Sequence, residues 1–137
     1  MEQRISFVTL VVADVEASRR FYVDGLGWEP ELHVAGEVLM LRVADRVILS
    51  LWDRAAAEHE LGPVAADGTP PIALAHNVDG EARVDAVIDE ARAAGADVVA
   101  EPRRREWGGY SGYFADPDGY RWEVAHNPGP IGQAVLP

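Results

Sequence analysis

The sequence predicts an α+β fold built from two βαβββ halves. Three observations carry that expectation. A β-branched apolar run, an amphipathic helix and three further apolar runs follow one another between Ile5 and Trp52. The same order returns between Ile72 and Ala125, closing on a tight hairpin. Stretches of the halves also match directly, FYVDGLGW lying over DEARAAGA and DRVILSLW over DGYRWEVA. Self-similarity at this spacing marks a repeated supersecondary unit.

In the first half, Ile5 to Val12 is almost continuously apolar, the pattern of a strand buried on both faces. Asp14 is placed to cap the following helix, and Glu16 sits favourably in its first turn. Val15, Ser18, Tyr22 and Leu26 recur at helical spacing, with Phe21 widening the stripe, until Gly25 and Gly27 stop it. Trp28 to Val34 reads as a strand that Pro30 pushes toward a sheet edge. Turns at Ala35-Gly36 and Ala44-Asp45-Arg46 separate it from strands at Val38 to Val43 and Val47 to Trp52. Asp53 to Pro71, rich in Ala, Glu, Gly and Pro, could form a helical turn in its early part but as a whole reads best as a joining loop, and long loops in compact domains tend to be functional or mobile.

In the second half, Ile72 to Val78 is a strand. Val84, Val87, Ile88 and Ala91 mark one helix face, ended by Gly95. Val98 to Arg103 forms the next strand. Within the final hairpin, Asp116-Pro117-Asp118-Gly119 has turn chemistry at every position: proline presets φ, aspartate caps, and glycine takes a positive φ. Tyr120 to Ala125 then resumes an apolar strand interrupted by Glu123, between Trp122 and Val124. A carboxylate in such a run is costly to bury unless it is paired, hydrogen-bonded or metal-bound.

The closing segment GYFADPDGYRWEVAHN and the opening segment FVTLVVADVEASRRFYVDGLGW resemble the vicinal oxygen chelate superfamily, which includes glyoxalase I, bleomycin-resistance proteins and extradiol dioxygenases. The resemblance spans about Ile5 to Asn127. It implies one domain over residues 4–128, with module one at 4–54, a linker at 55–70, module two at 71–128 and a tail at 129–137. It also implies that the two βαβββ modules form curled mixed sheets around a cavity. Metal-dependent members hold a divalent metal with four His, Gln or Glu side chains facing that cavity. Carried over position by position, these fall on Phe7, Leu49, Ala73 and Glu123, with Leu49 taken from alignment of VILSLW with YRWEVA. Only Glu123 keeps a donor, so the resemblance implies no metal. Should a divalent metal bind, His76 and Glu123 are the residues to hold it, which needs the second-half strand shifted by an odd number of residues.

Glu123 therefore has two readings: a carboxylate that binds ligand or acts as a catalytic base, or a relic held by a neighbouring donor such as Arg121 or a tyrosine. Strand alternation places Ala73, Ala75 and Asn77 on one side and His76 on the other, toward the helix. His126 alternates away from Glu123, and His33 and His59 show no ligand spacing. Trp122, Phe21 and Tyr22 read as core. Trp107 and Tyr110, flanking Gly108-Gly109, read as cavity-mouth residues able to stack on a flat ligand, and Tyr113 joins the ligand-binding set. The cluster Arg103 to Arg105 reads as a solvated strand end.

Composition narrows the function. With 12 basic and 23 acidic residues among 137, the net charge is −11, which argues against nucleic acid and would favour a cationic ligand, although an acidic surface more often serves only solubility. Cysteine is absent, which removes thiolate metal sites and cysteine nucleophiles. No apolar run is long enough to span a bilayer, and no signal-peptide pattern opens the chain, so a cytoplasmic protein without a membrane partner is expected.

The expected function is binding of a small aromatic or cationic organic molecule. The alternatives are a metal-dependent lyase, isomerase or dioxygenase, and a scaffold without ligand. A homodimer is expected, because Ile5 to Val12 and Ile72 to Val78 are too apolar for a solvated sheet edge, and Ile131, Val135 and Leu136 of the tail would pack on the partner.

Overall fold

The structure is a computed structural model that describes residues 1–65 and 67–137. The chain forms two compact units, Met1–Asp67 and Gly68–Pro137. Each carries a four-stranded mixed sheet, so the βαβββ repeat is realised twice.

In the first unit, β1 (Phe7–Val12) leads into α1 (Val15–Arg19), which continues as a π-helical turn at Arg20–Gly25. Asp14 caps α1 as expected, its Oδ1 accepting from the Glu16 amide at 2.9 Å. Then come β2 (Pro30–Val34), β3 (Val38–Ala44) and β4 (Val47–Asp53), in the sheet order β1-β4-β3-β2. The strand β1 runs parallel to β4, and the other pairs are antiparallel. The register sets the faces. Leu10, Val12, Leu39, Leu41, Leu49 and Leu51 share one face, where all are buried together with Val15, Phe21 and Tyr22 from the helical segment. That face is the core of the unit. Removing a side chain there forfeits both its transfer from water and the contacts around it.

The second unit repeats the plan. The strand β5 (Ala73–Asn77) is followed by α3 (Glu81–Ala93), β6 (Asp97–Arg104), β7 (Tyr110–Ala115) and β8 (Arg121–His126), in the order β5-β8-β7-β6. Val84, Ile88 and Ala91 of α3 are buried, as are Phe114, Trp122 and Val124 of the sheet. The Phe114 and Trp122 rings stack at 6.1 Å. In the β7–β8 turn, Asp116 Oδ1 accepts from the amides of Asp118 and Tyr120, each at 3.0 Å, and Gly119 takes a φ of 84°.

Two expectations need correction. The first half of the segment assigned as linker is a helix, α2 (Arg54–Leu61): Asp53 caps it through the Ala56 amide, Ala57 is buried, and Gly62 ends it. The division between the units falls at 67/68, within that segment. The strands β1 and β5 are each the edge strand of a sheet, and only the second half of β1, Leu10 to Val12, is buried on both faces, whereas Phe7, Ala73 and Ala75 are exposed. Ile5 and Ile72, which precede the two strands, are exposed as well. The tail folds as a short helix, α4 (Pro130–Gln133), on which Ile131 is exposed, as is Val135 beyond it.

Candidate functional site

Each sheet has a second face that its helix does not cover. In the second unit the register fixes the membership of that face. Glu123 pairs with Ala75 on β5 and with Tyr113 on β7, and paired residues point to the same side. Ala73, Arg121, Ser111 and Ala125 alternate onto that side as well.

The anomaly that the sequence raised at Glu123 is resolved by a tyrosine. The Tyr113 hydroxyl donates to Glu123 Oε1 at 2.6 Å, a charge-assisted hydrogen bond between partly buried groups. Burial, and then the carboxylate beside it, hold the Tyr113 phenol above the ordinary tyrosine pKa, while Arg105 and the Ser111 hydroxyl oppose that rise. Ser111 is fully buried. Arg105 Nε donates to its hydroxyl and Nη2 to its carbonyl, both at 2.9 Å. The same guanidinium lies over the Tyr113 ring, 5.3 Å from its centroid. Arg105, Ser111, Tyr113 and Glu123 thus form one connected polar cluster beside the small side chains of Ala73 and Ala75. Arg121 turns its guanidinium to the Gly119 carbonyl at 3.1 Å and to the Thr69 hydroxyl at 3.4 Å.

The remaining sequence candidates fall in several places. Tyr110 is not a cavity-mouth residue. It pairs with His126 on the helix side of the sheet, and its hydroxyl donates to Asp85 of α3 at 2.9 Å. That bond is the first cause of its raised pKa. Trp107 is 52% exposed, in the turn closed by the Arg105 amide on the Gly109 carbonyl. Its ring lies against the Gly109 backbone so closely that a Cβ there would stand 1.7 Å from it. His76 pairs with Val124, on the side opposite Glu123, and desolvation first and Arg83 second lower its pKa. His76 and Glu123 therefore cannot join around one metal. His126 bonds the Val78 carbonyl through Nδ1 at 3.2 Å, and His33 bonds Glu16 at 2.9 Å. Arg105 is not part of a solvated strand end, although Arg104 is exposed and paired with Glu81 at 3.0 Å.

In the first unit, Phe7 lies on the open face and is 53% exposed. Leu49 does not: it pairs with Val8 and Leu41 and is buried under the helix. The counterpart of Glu123 is Ser50, because Thr9 pairs with Ser50 as Ala75 pairs with Glu123. Ser50 is buried and pairs with Thr9 and Met40; Ile48 and, two strands away, the exposed Leu32 and Val34 lie on the same face. The equivalent positions thus carry Phe7, Ser50, Ala73 and Glu123: one carboxylate, one hydroxyl and two side chains without donor atoms. That set does not fit a divalent metal, which takes several charged or imidazole donors. Among the described residues, no group of three or more His, Cys, Asp or Glu could hold a metal ion.

The Glyoxalase/Bleomycin resistance protein/Dioxygenase superfamily model matches residues 4–124. This chain belongs to that superfamily. Among solved structures it is similar to a glyoxalase-related enzyme from Fulvimarina pelagi, with 34% identity, 93% of this chain and 90% of that chain covered, and a TM-score of 0.84. A glyoxalase/bleomycin resistance protein/dioxygenase from Nocardioides shares 26% identity over 94% of this chain and 89% of that one, at a TM-score of 0.76. A lactoylglutathione lyase from Agrobacterium tumefaciens shares 25% identity over 93% and 96%, at 0.71. No curated protein matches this chain significantly. Among the described residues, no helix is long and apolar enough to cross a membrane.

The members that sequence reasoning missed are Ser111 and Arg105. A serine within a strand and an arginine at a strand end carry no signal of their own. Ser111 shares the alternation of Tyr113, and the position of Arg105 follows two register shifts in the β6–β7 pairing, between Val98 and Ala100 and between Ala100 and Arg103.

Proposed function

We propose that this chain binds a small organic molecule, aromatic or cationic, on the open face of the second unit, without a catalytic metal. The observation that carries the reading is the Tyr113–Glu123 hydrogen bond at 2.6 Å on that face. The tyrosine satisfies one carboxylate oxygen and fixes the orientation of the other. A carboxylate held in this way is a stationary acceptor for a ligand ammonium, amide or hydroxyl. Ala73 and Ala75 leave room for a flat group to lie against the sheet. The net charge of −11 supports attraction of a cation at long range. The alternative of a metal-dependent enzyme is disfavoured by the donor chemistry at Phe7, Ser50 and Ala73. Equilibrium dialysis with benzylammonium, paired with elemental analysis of the purified protein, tests the reading. Saturable uptake that is lost in Glu123→Gln is expected. Stoichiometric metal, with uptake abolished by a chelator, would overturn it.

The assembly proposed is a two-fold homodimer. The apolar edge residues Ile5, Phe7 and Ile72, and Ile131 and Val135 near the C-terminus, are exposed in the single chain and support coverage by a second copy.

A further inference from the structure

Resting on that reading, we infer that the ligand also carries an anionic group, a carboxylate, which meets the Arg105 guanidinium while a donor on the same molecule meets Glu123.

The arginines of this acidic chain make the argument. Arg4, Arg19, Arg20, Arg42, Arg46, Arg83, Arg92 and Arg104 each pair with a carboxylate. Arg54, Arg103, Arg105 and Arg121 are not in that set, and of these four it is Arg105 that stacks on Tyr113 and bonds Ser111 in the Glu123 cluster, whereas Arg54 and Arg121 are turned to backbone carbonyls. Among the described residues Arg105 makes no ion pair, although acidic residues outnumber basic ones 23 to 12. Its bonds go to two neutral oxygens of Ser111, through Nε and Nη2, and its Nη1 makes no bond to the protein.

An uncompensated, partly buried guanidinium is costly to keep unless an anion completes it. It is also rigid. Ser111 holds one edge, the Tyr113 ring lies beneath its plane, and the Tyr113 hydroxyl reaches Glu123. One phenol ring therefore separates a fixed cation from a fixed carboxylate. A planar oxyanion suits the remaining edge of a guanidinium better than a point charge does. The complementary molecule is amphoteric: a donor group for Glu123 and a carboxylate for Arg105 on one compact skeleton.

Three probes separate the contributions in titration calorimetry: benzylammonium, phenylacetate, and phenylglycine, which joins both charges on one skeleton. Phenylglycine is expected to bind at least about tenfold more tightly than either of the others. Arg105→Gln, which keeps a donor for Ser111, should erase that advantage by weakening phenylglycine at least about tenfold more than benzylammonium. Near-ultraviolet circular dichroism confirms that the variant keeps its packing. Benzylammonium binding as tightly as phenylglycine overturns the anionic half and leaves the cation-binding reading standing. Equal weakening of both probes by Arg105→Gln reduces Arg105 to a buttress of Tyr113, and also overturns it. Binding of none of the three probes removes both readings.

Discussion

The two open faces follow one register and have opposite chemistry. Where the first unit has Ser50, buried beside Thr9 and Met40, the second has Glu123, bonded by Tyr113 and backed by Ser111 and Arg105. The helix-covered faces are alike in each holding a buried apolar core, although the second also carries His76, Tyr110 and His126. A repeated unit can thus keep its core and diverge on the face that its helix leaves open, because the alternation of a strand separates the two.

Substitutions that exchange the two faces give the largest effects. Ser50→Glu places an unpartnered carboxylate where the side chain is 4% exposed, and should cost several kcal/mol or abolish folding. Glu123→Ser removes a partly exposed carboxylate and should cost far less. Urea unfolding of both variants measures the asymmetry, and equal losses would remove the distinction between the faces.

Next come the two helix-covered faces, which should respond alike. Leu51→Ala and Ile88→Ala each remove a side chain that is buried completely or nearly so, and each is expected to cost about 2–5 kcal/mol in the same experiment. A loss below about 1 kcal/mol in only one of them would mean that the two cores are not equivalent.

Much of this was legible in the sequence. The two βαβββ halves, the Asp14 cap, the Asp116–Gly119 turn and the anomaly at Glu123 all follow from periodicity and turn chemistry. The misses have physical causes. Helix α2 was hidden in an Ala- and Glu-rich stretch without a strong apolar stripe, although Asp53 marked its start. Leu49 was chosen one residue out of phase, and in a strand that single step moves a side chain from one face to the other. Tyr110 was read as a mouth residue for its neighbouring glycines, whereas its strand position turns it toward Asp85. Ser111 shares the alternation of Tyr113 but its residue type gave no signal, and the position of Arg105 follows the register shifts in the β6–β7 pairing, which no composition signal announces.

A smaller effect is expected at Gly109. An added methyl would stand 1.7 Å from the Trp107 ring and 2.7 Å from the His126 carbonyl, and backbone cannot yield cheaply. Gly109→Ala should cost about 1–3 kcal/mol and shift the tryptophan emission as the Trp107 ring is displaced. An unchanged spectrum and stability would show that the ring has no fixed seat.

The smallest effect is alkaline. The folded-state pKa of Tyr113 is raised, so its neutral form is favoured by folding. Its contribution is fully present below the ordinary tyrosine value of about 10 and is lost as pH rises from there through the folded pKa. Stability followed from pH 9 upward should fall less steeply in Tyr113→Phe than in the natural chain. Identical slopes would mean that this phenol titrates as in the unfolded chain.

The central claim is that the second open face, and not the first, takes the ligand. Amide chemical-shift mapping of the full chain during titration with benzylammonium reads both faces at once. The account predicts saturable shifts centred on Ala75, Tyr113 and Glu123, with Leu32, Met40 and Ile48 left in place. Shifts centred on those first-unit residues, or none at saturating probe, would contradict it.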